Sequence, residues 1–267
     1  MQPLGPVTRA VLVTWVAMWI VSFLSALAGP GVTSWLALNA GAIVHGHFGA
    51  LPGLLTYVLV HDPYGILHLL VNGLMFSWWA PEVETLWPRS RMVKLLFWAT
   101  LAGAGVNLFL TWLVPQSFNG LVLGGSGWVS AVFAAHAAVY PGRILNLLVL
   151  RCRLISFFLV LCALDLLWLI ADLAGRVDGV AQEVHLAGAL TGWLWAGGFW
   201  RRGWSPGWAQ GLAARFRGWQ SRRRQNRHAG EEAELDRILA KIGRDGLNAL
   251  DAGERAFLER RSKRRKR

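Results

Sequence analysis

The chain has 267 residues, of which 54% are hydrophobic and 16% are charged, and its formal net charge is +12. A soluble domain of this length needs more charged side chains to cover its surface, and most of the charge lies from Arg201 onward. This composition excludes an ordinary soluble globular protein. It predicts an all-α membrane protein, because a helix lets a spanning segment satisfy its own backbone.

Six apolar segments follow one another along the chain. They cover about 10–28, 67–87, 92–114, 124–140, 154–175 and 184–200. Several approach the roughly 20 residues that a ~30 Å hydrocarbon core requires, whereas the fourth and sixth are shorter, which leaves room for their outer ends below the membrane surface. The first is longer than the apolar part of a signal peptide and is preceded by only one basic residue, Arg9. We therefore expect a retained helix.

The distribution of Lys and Arg predicts the orientation of these segments. Basic residues lie in the second and fourth connections and directly after the sixth segment, at Arg89, Arg91, Lys94, Arg143, Arg151, Arg153, Arg201 and Arg202. Residues 29–66 and 115–123 contain none, and the last outer connection contains only Arg176. The positive-inside rule therefore places both termini in the cytoplasm. Because residues 29–66 are also too apolar for a solvated loop, we expect them to lie half within the outer leaflet.

The chain divides by composition into three regions. We predict a six-helix membrane domain (1–202), a basic and aromatic juxtamembrane linker (203–230) and a short cytoplasmic helical hairpin with a basic end (231–267). In the last region Asp251 and Glu254 form a capping-box signature, after apolar residues at helical spacing. We expect the basic tail to bind anionic lipid headgroups. Nucleic acid is not expected, because no stacking-aromatic or groove-reading motif accompanies the charge.

Cysteine and histidine show no pattern of a disulfide framework or a metal site. Cys152 lies in a basic loop and Cys162 within an apolar segment, which does not suggest a disulfide. His45, His47 and His61 lie in the first outer connection without an acidic or cysteine partner. We therefore expect no metal and no cofactor.

A glycine-rich turn opens the fourth apolar segment at its outer end. Ser126 is surrounded there by Gly124, Gly125 and Gly127. Small neighbours leave room for a substrate backbone and for an oxyanion held by backbone N–H groups. Considered alone, the turn is more simply interpreted as a glycine-rich helix start with a serine cap.

A histidine at the start of the sixth segment changes that interpretation. Gly188 and Gly192 follow His185 at i+3 and i+7, so the three share one helical face. The fourth segment has a face of small residues too, and two such faces allow close helix packing. That packing would bring the Ser126 hydroxyl near the imidazole, and a serine needs an adjacent base to become a nucleophile.

A third polar pair lies near the outer end of the second segment. His68 and Asn72 are four residues apart and therefore share a face. Donors of this kind can stabilise a developing oxyanion. A lone pair of this type in a membrane helix is more often a packing hydrogen bond, but three polar sites at one predicted depth favour a functional site.

The motifs in these three segments resemble those of a known family. HLLVN (68–72), GGSG (124–127) and HLAGALTG (185–192) resemble the three signature motifs of rhomboid proteases, in the same order. The stretch PEVE (81–84) is also similar to the family pattern, with Glu84 at the acidic position. The resemblance covers roughly residues 10–200 and implies a six-transmembrane-helix rhomboid bundle. The tail is similar to an extension of many bacterial rhomboids, so we expect a multi-pass protein of the bacterial cytoplasmic (inner) membrane.

The resemblance also implies roles for the site residues. Ser126 would be the nucleophile and His185 the general base, with no aspartate completing a triad. His68, Asn72 and the Ser126 backbone amide would form the oxyanion site. Asp165 shares one face of the fifth segment with Asp172, and the sequence identifies no partner for Asp165, for which we expect a hydrogen-bonded or protonated structural role. We interpret His136, ten residues beyond Ser126, as a packing residue.

The function that the resemblance implies is that of an intramembrane serine endopeptidase. It would cleave single-pass transmembrane proteins near the outer membrane face, where Gly, Pro or polar residues let the substrate helix unwind. Two alternatives stay open. One is a catalytically silent rhomboid-like protein that binds membrane clients; the other is a small transporter that uses Asp165 for coupling, although no repeat of broken helices supports it.

Overall fold

The structure is a computed structural model that describes the membrane-domain residues 3–29, 31–147, 150–176 and 179–197. Of the C-terminal part it describes residues 232–233, 235–244, 246, 250–251, 253–255 and 257–258. The chain separates into two compact units, Met1–Gly203 and Trp204–Arg267. Each unit is described by itself.

The described part of the first unit is mostly helical. In chain order its helices are α1 (Pro6–Ala28), α2 (Val32–Leu36), α3 (Ala40–Val44), α4 (Gly53–Thr56), α5 (Ile66–Leu86), α6 (Arg89–Leu113), α7 (Pro115–Phe118), α8 (Ser126–Val139), α9 (Leu154–Leu173) and α10 (Gln182–Trp195). Short 3₁₀ turns lie at Phe48–Ala50 and Tyr57–Leu59. The six apolar segments coincide with α1, α5, α6, α8, α9 and α10, except that residues 198–200 of the last lie outside the described residues.

Among the described residues, three helices are long and apolar enough to cross a bilayer by length and composition, namely α1, α6 and α9. Helices of this length and apolar composition are those of an integral membrane protein. The helices α8 and α10 have 14 residues each. At 1.5 Å per residue each is about 21 Å long, shorter than the hydrocarbon core. The sequence correctly predicted that these two would be short.

Two small antiparallel ladders join the connections, and no pattern in the sequence indicated either of them. Strand β1 (Leu38–Asn39) pairs with β2 (Leu121–Val122), and β3 (Ile144–Leu147) pairs with β4 (Leu150–Arg153). In the first ladder Leu38 lies opposite Val122. This pairing ties the long connection after α1 to the residues that lead into α8.

The main core of the membrane domain surrounds Trp15 of α1. Its indole is fully buried, and its ring centroid lies 5.2 Å from that of Phe76 and 6.1 Å from that of Trp128. The indole N–H donates to the Val58 carbonyl at 2.9 Å, which satisfies a polar group that would otherwise be costly to bury. Trp15 therefore joins α1 to α5, to α8 and to the connection between α1 and α5.

Helices α8 and α10 approach each other closely through glycine. A β-carbon at Gly188 would overlap the Gly127 carbonyl oxygen, and one at Gly192 would overlap the Ala131 carbonyl oxygen. Because backbone, and not the tip of a flexible side chain, stands in the way, the two helices would have to separate to admit a methyl group. The predicted packing of the small-residue faces is thus present.

Replacing Gly192 by alanine tests this contact. We expect Gly192→Ala to lower the free energy of unfolding, because overpacking typically costs ~1–3 kcal/mol. A lower midpoint of thermal unfolding in detergent micelles would report this loss. The matched control is Gly105→Ala in α6, where nothing lies within 4 Å of the added carbon. Equal midpoints for both variants would contradict the close packing of α8 and α10.

The start of α1 is held by a buried carboxylate on α5. Glu84 accepts hydrogen bonds from the Val7 N–H at 2.8 Å, the Thr8 N–H at 3.0 Å and the Thr8 hydroxyl at 2.8 Å. The first N–H groups of a helix have no partner within it, and the helix dipole favours a negative charge at this end. Glu84, which is 9% exposed, therefore caps α1 from another helix.

Removing this carboxylate leaves three donors without their acceptor. We expect Glu84→Ala to lower the free energy of unfolding by about 2–5 kcal/mol, since a buried donor left unpaired costs ~1–3 kcal/mol. Denaturant titration of the purified protein in detergent gives the value. Glu232→Ala, at an exposed site, serves as the control. If Glu84→Ala lowered the free energy of unfolding no more than Glu232→Ala does, Glu84 would not stabilise the start of α1.

The described residues of the second unit form helical turns at 232–233, 235–244, 253–255 and 257–258. The predicted capping box is confirmed, because the Glu254 N–H donates to Asp251 at 2.8 Å and the Asp251 N–H donates to Glu254 at 3.0 Å. Lys241 and Arg237 also donate to Glu254, each at 2.9 Å. The Lys241 and Asp251 hydrogen bonds lower the pKa of Glu254 to about 2. The predicted linker 203–230 and the basic end after 258 lie outside the described residues.

Candidate active site

A cavity of about 640 Å³ lies between the beginnings of α5, α8 and α10. Its lining includes Ser126, His185, His68 and Asn72, together with Gly124. These are the polar residues that the sequence predicted to lie at one depth. The structure therefore brings the four polar residues together around one space large enough for part of a peptide.

The turn that presents Ser126 requires glycine at two positions. Gly124 has a φ of +112°, in the region that L side chains rarely adopt, and a β-carbon there would lie 2.7 Å from His68 Nε2. At Gly125 a β-carbon would overlap the Trp15 ring. Ser126 is the first residue of α8 and is half-buried. The glycines thus let the backbone before Ser126 pass between an imidazole and an indole.

His185 lies in the first turn of α10, opposite the start of α8. Its side chain is 19% exposed, and its Nδ1 lies 3.3 Å from Oδ1 of Asp165 on α9. The resemblance implied no aspartate beside this histidine, and the sequence offered no partner for Asp165. The structure supplies one. The contact joins two helices, so residue spacing along a single helix could not reveal it.

Asn72 faces the cavity from α5 with a free donor. It is 5% exposed, and its Nδ2 has no hydrogen-bond partner among the described residues. One turn earlier, His68 lies against Gly124. A buried amide without a partner is costly unless a ligand atom completes it. The Asn72 amide is thus available to an oxygen atom that enters the cavity.

His61 also belongs to the site. The sequence suggested only a metal-ligand role for it, which no acidic or cysteine partner supported. Its ring is fully buried, with its centroid 5.2 Å from that of His68. Burial, with a smaller contribution from His68, lowers the pKa of His61 to about 3. The imidazole is therefore neutral near pH 7 and can accept the Gly125 N–H, which lies 3.4 Å from its Nε2.

Part of the chain matches a known protein family. The family model of the rhomboid domain matches residues 51–202, which is more than half of the chain and includes all the polar residues of the cavity. The chain belongs to the rhomboid family. A second family, of unknown function (DUF6576), matches residues 222–264. No curated protein gives a match to the chain.

The connection between α1 and α5 of this rhomboid supports the serine turn. The Gly124 N–H donates to the Tyr57 carbonyl at 2.9 Å, and His61 accepts from Gly125. The β1–β2 ladder adds pairing just before the turn. The position of this connection in the outer leaflet stays a prediction. Its apolar character has a structural reason, since Tyr57, Val58 and Val60 are buried.

A buried acid lines the same cavity in this rhomboid. Glu183, two residues before His185, is 2% exposed and accepts a hydrogen bond from Asn107 Nδ2 at 2.8 Å. Asp172 also lines the cavity. No sequence pattern distinguishes Glu183, because an acid in the first turn of a helix is ordinary. Its burial beside the cavity makes it part of the site's polar wall.

His136 lies away from the cavity, as the sequence predicted. It is fully buried near the end of α8, with Nε2 3.5 Å from Glu82 Oε2 and 3.1 Å from the guanidinium of Arg143. Arg143 also forms an ion pair with Glu82. These contacts fasten α8 to α5 at the end opposite Ser126, which is a packing role. Within the described ranges no three His, Cys, Asp or Glu residues are grouped to hold a metal ion.

Proposed function

We propose that this rhomboid is an intramembrane serine endopeptidase. The observation that carries the proposal is that Ser126 and His185 lie at the starts of two closely packed helices and line one cavity. Beside them lies the amide of Asn72, whose Nδ2 has no hydrogen-bond partner in the described part of the chain. A nucleophile, a base and an oxyanion donor around one space are the parts that acyl transfer needs.

The proposed reaction has two halves. His185 takes the proton of the Ser126 hydroxyl while Oγ bonds to the substrate carbonyl carbon, and the carbonyl oxygen becomes an oxyanion held by Asn72, His68 and the Ser126 N–H. The C–N bond then breaks, and the amine leaves with the proton from His185. Water, deprotonated by the same imidazole, attacks the acyl-enzyme, and the proton returns to Ser126 as the acid leaves.

The membrane arrangement belongs to the same proposal. The helices α1, α5, α6, α8, α9 and α10 would cross the membrane with both termini in the cytoplasm, which puts Ser126 and His185 near the outer face. The short α8 and α10 support this depth, since each is shorter than the hydrocarbon core. The substrates would be single-pass proteins whose helix unwinds near its outer end. The bacterial inner membrane would be the location, with anionic lipid bound at the basic tail.

Removing the nucleophile is the first test. We expect Ser126→Ala to lower cleavage of a single-pass substrate in proteoliposomes to background, and His185→Ala to do the same. The matched control is Ser77→Ala, because the exposed Ser77 hydroxyl bonds only within its own helix. Cleavage that survives Ser126→Ala would overturn the serine mechanism.

A fluorophosphonate probe separates the peptidase from a silent relative that only binds membrane clients. The wild-type protein should form a covalent adduct at Ser126, detected by mass spectrometry. No adduct and no cleavage, with client binding intact, would favour the silent form.

The oxyanion role is tested at Asn72. We expect Asn72→Ala to lower kcat by about 10²–10³-fold with a much smaller change in KM, because the amide would act mainly on the charge that develops in the transition state. Steady-state cleavage kinetics measure both constants. Asn146→Ala, at an exposed site in β3, is the control. An unchanged kcat would remove Asn72 from the oxyanion site.

A further inference from the structure

The acid on α9 is unusual in its surroundings. Asp165 lies midway along an apolar helix, between Leu164 and Leu166, whose side chains are 48% and 50% exposed on the surface that lipid would cover. A carboxyl group at such a place is costly and needs a partner. Its side chain is 28% exposed and points toward α10, where its Oδ1 lies 3.3 Å from His185 Nδ1.

This contact restricts the state of the imidazole. A neutral histidine carries one proton, on either Nδ1 or Nε2, and a carboxylate oxygen can only accept a hydrogen bond. Pairing with Asp165 therefore keeps the proton on Nδ1. The lone pair is then on Nε2, at the far side of the ring, which is the atom free to act as a base.

We propose that Asp165 is a positioning residue that sets the tautomer and the orientation of His185. The inference rests on the proposed peptidase function. As Nε2 takes the Ser126 proton and Oγ bonds to the carbonyl carbon, the ring becomes an imidazolium, and the adjacent carboxylate stabilises its positive charge. In this role Asp165 accepts the Nδ1–H hydrogen bond throughout and passes on no proton.

This arrangement departs from the two-residue mechanism that the resemblance implied. Asp165 comes from α9, whereas Ser126 and His185 come from α8 and α10, so three helices supply the three groups. Glu183, an acid in the lining of the cavity, accepts a hydrogen bond from Asn107, whereas the carboxyl group of Asp165 lies against the imidazole itself. Asp165 is thus the carboxylate that the geometry assigns to the imidazole.

The kinetic test uses the full chain in proteoliposomes. We expect Asp165→Leu to lower kcat by about 10- to 100-fold, as loss of an orienting partner commonly does, while KM changes less than twofold. Asp165→Glu should recover part of the loss. Because leucine suits a lipid-facing helix better than aspartate does, we do not expect unfolding to cause the loss of kcat. The midpoint of thermal unfolding of each variant checks this. Cys162→Ala, one turn away on α9, should leave kcat unchanged.

A spectroscopic test does not depend on turnover. In protein with ¹⁵N-labelled histidine, the neutral His185 ring, assigned by its loss in His185→Gln, should carry its proton on Nδ1. Asp165→Leu should move the population toward Nε2–H, which a purely structural residue would not do.

The outcomes separate the two proposals. Ser126-dependent cleavage with an unchanged kcat in Asp165→Leu would overturn the role of Asp165 and leave the peptidase standing. No Ser126-dependent cleavage would overturn the peptidase and the catalytic role of Asp165 with it, and the NMR spectra would still report whether Asp165 sets the tautomer. An Nε2–H tautomer in the wild-type protein would overturn the positioning role directly.

Discussion

The backbone contact between α8 and α10 is the constraint on which the rest of the membrane domain depends. Membrane helices gain little from the hydrophobic effect when they pack in lipid, so van der Waals contact between small residues must hold them together. Gly188 and Gly192 let α10 rest on the carbonyl groups of Gly127 and Ala131. Because Ser126 begins one helix and His185 lies in the first turn of the other, the same contact fixes both chemical groups. If α8 and α10 lay farther apart, Ser126 and His185 would still be present but would no longer face one cavity.

Several polar groups inside this domain form pairs between helices. Glu84 holds the first amides of α1, Asn107 donates to Glu183, and Asp165 lies against His185. Each pair offsets the cost of placing polar atoms in an apolar surrounding. The amide donor of Asn72 has no such partner among the described residues, and the same is true of several other buried polar atoms, such as Ser22 Oγ. What distinguishes Asn72 is that it also lines the cavity beside Ser126 and His185, where a ligand atom could complete its hydrogen bonding.

Sequence alone predicted the main helices, several polar residues of the cavity and one contact between helices, but not the other contacts. The apolar segments located α1, α5, α6, α8, α9 and α10 because length and hydropathy are local properties. The glycine spacing after His185 predicted the α8–α10 packing, because periodicity shows which residues share a face. The Asp165–His185 contact depends on how α9 is rotated about its axis, which no spacing within one helix reveals. The β1–β2 ladder is two residues long on each side, too short for any alternation to be visible. His61 is separated from Gly125 by 63 residues of chain, so only the fold brings them together.

Residues 57–61 have a further consequence for how such a protein could be controlled. This short stretch accepts the indole N–H of Trp15, the amide of Gly124 and the amide of Gly125. It therefore links the connection between α1 and α5 to the backbone that carries the serine hydroxyl. A compound, antibody or cross-link that displaces this connection would deform that backbone without entering the cavity. A ligand acting in this way would need no chemical resemblance to a molecule that fits the cavity.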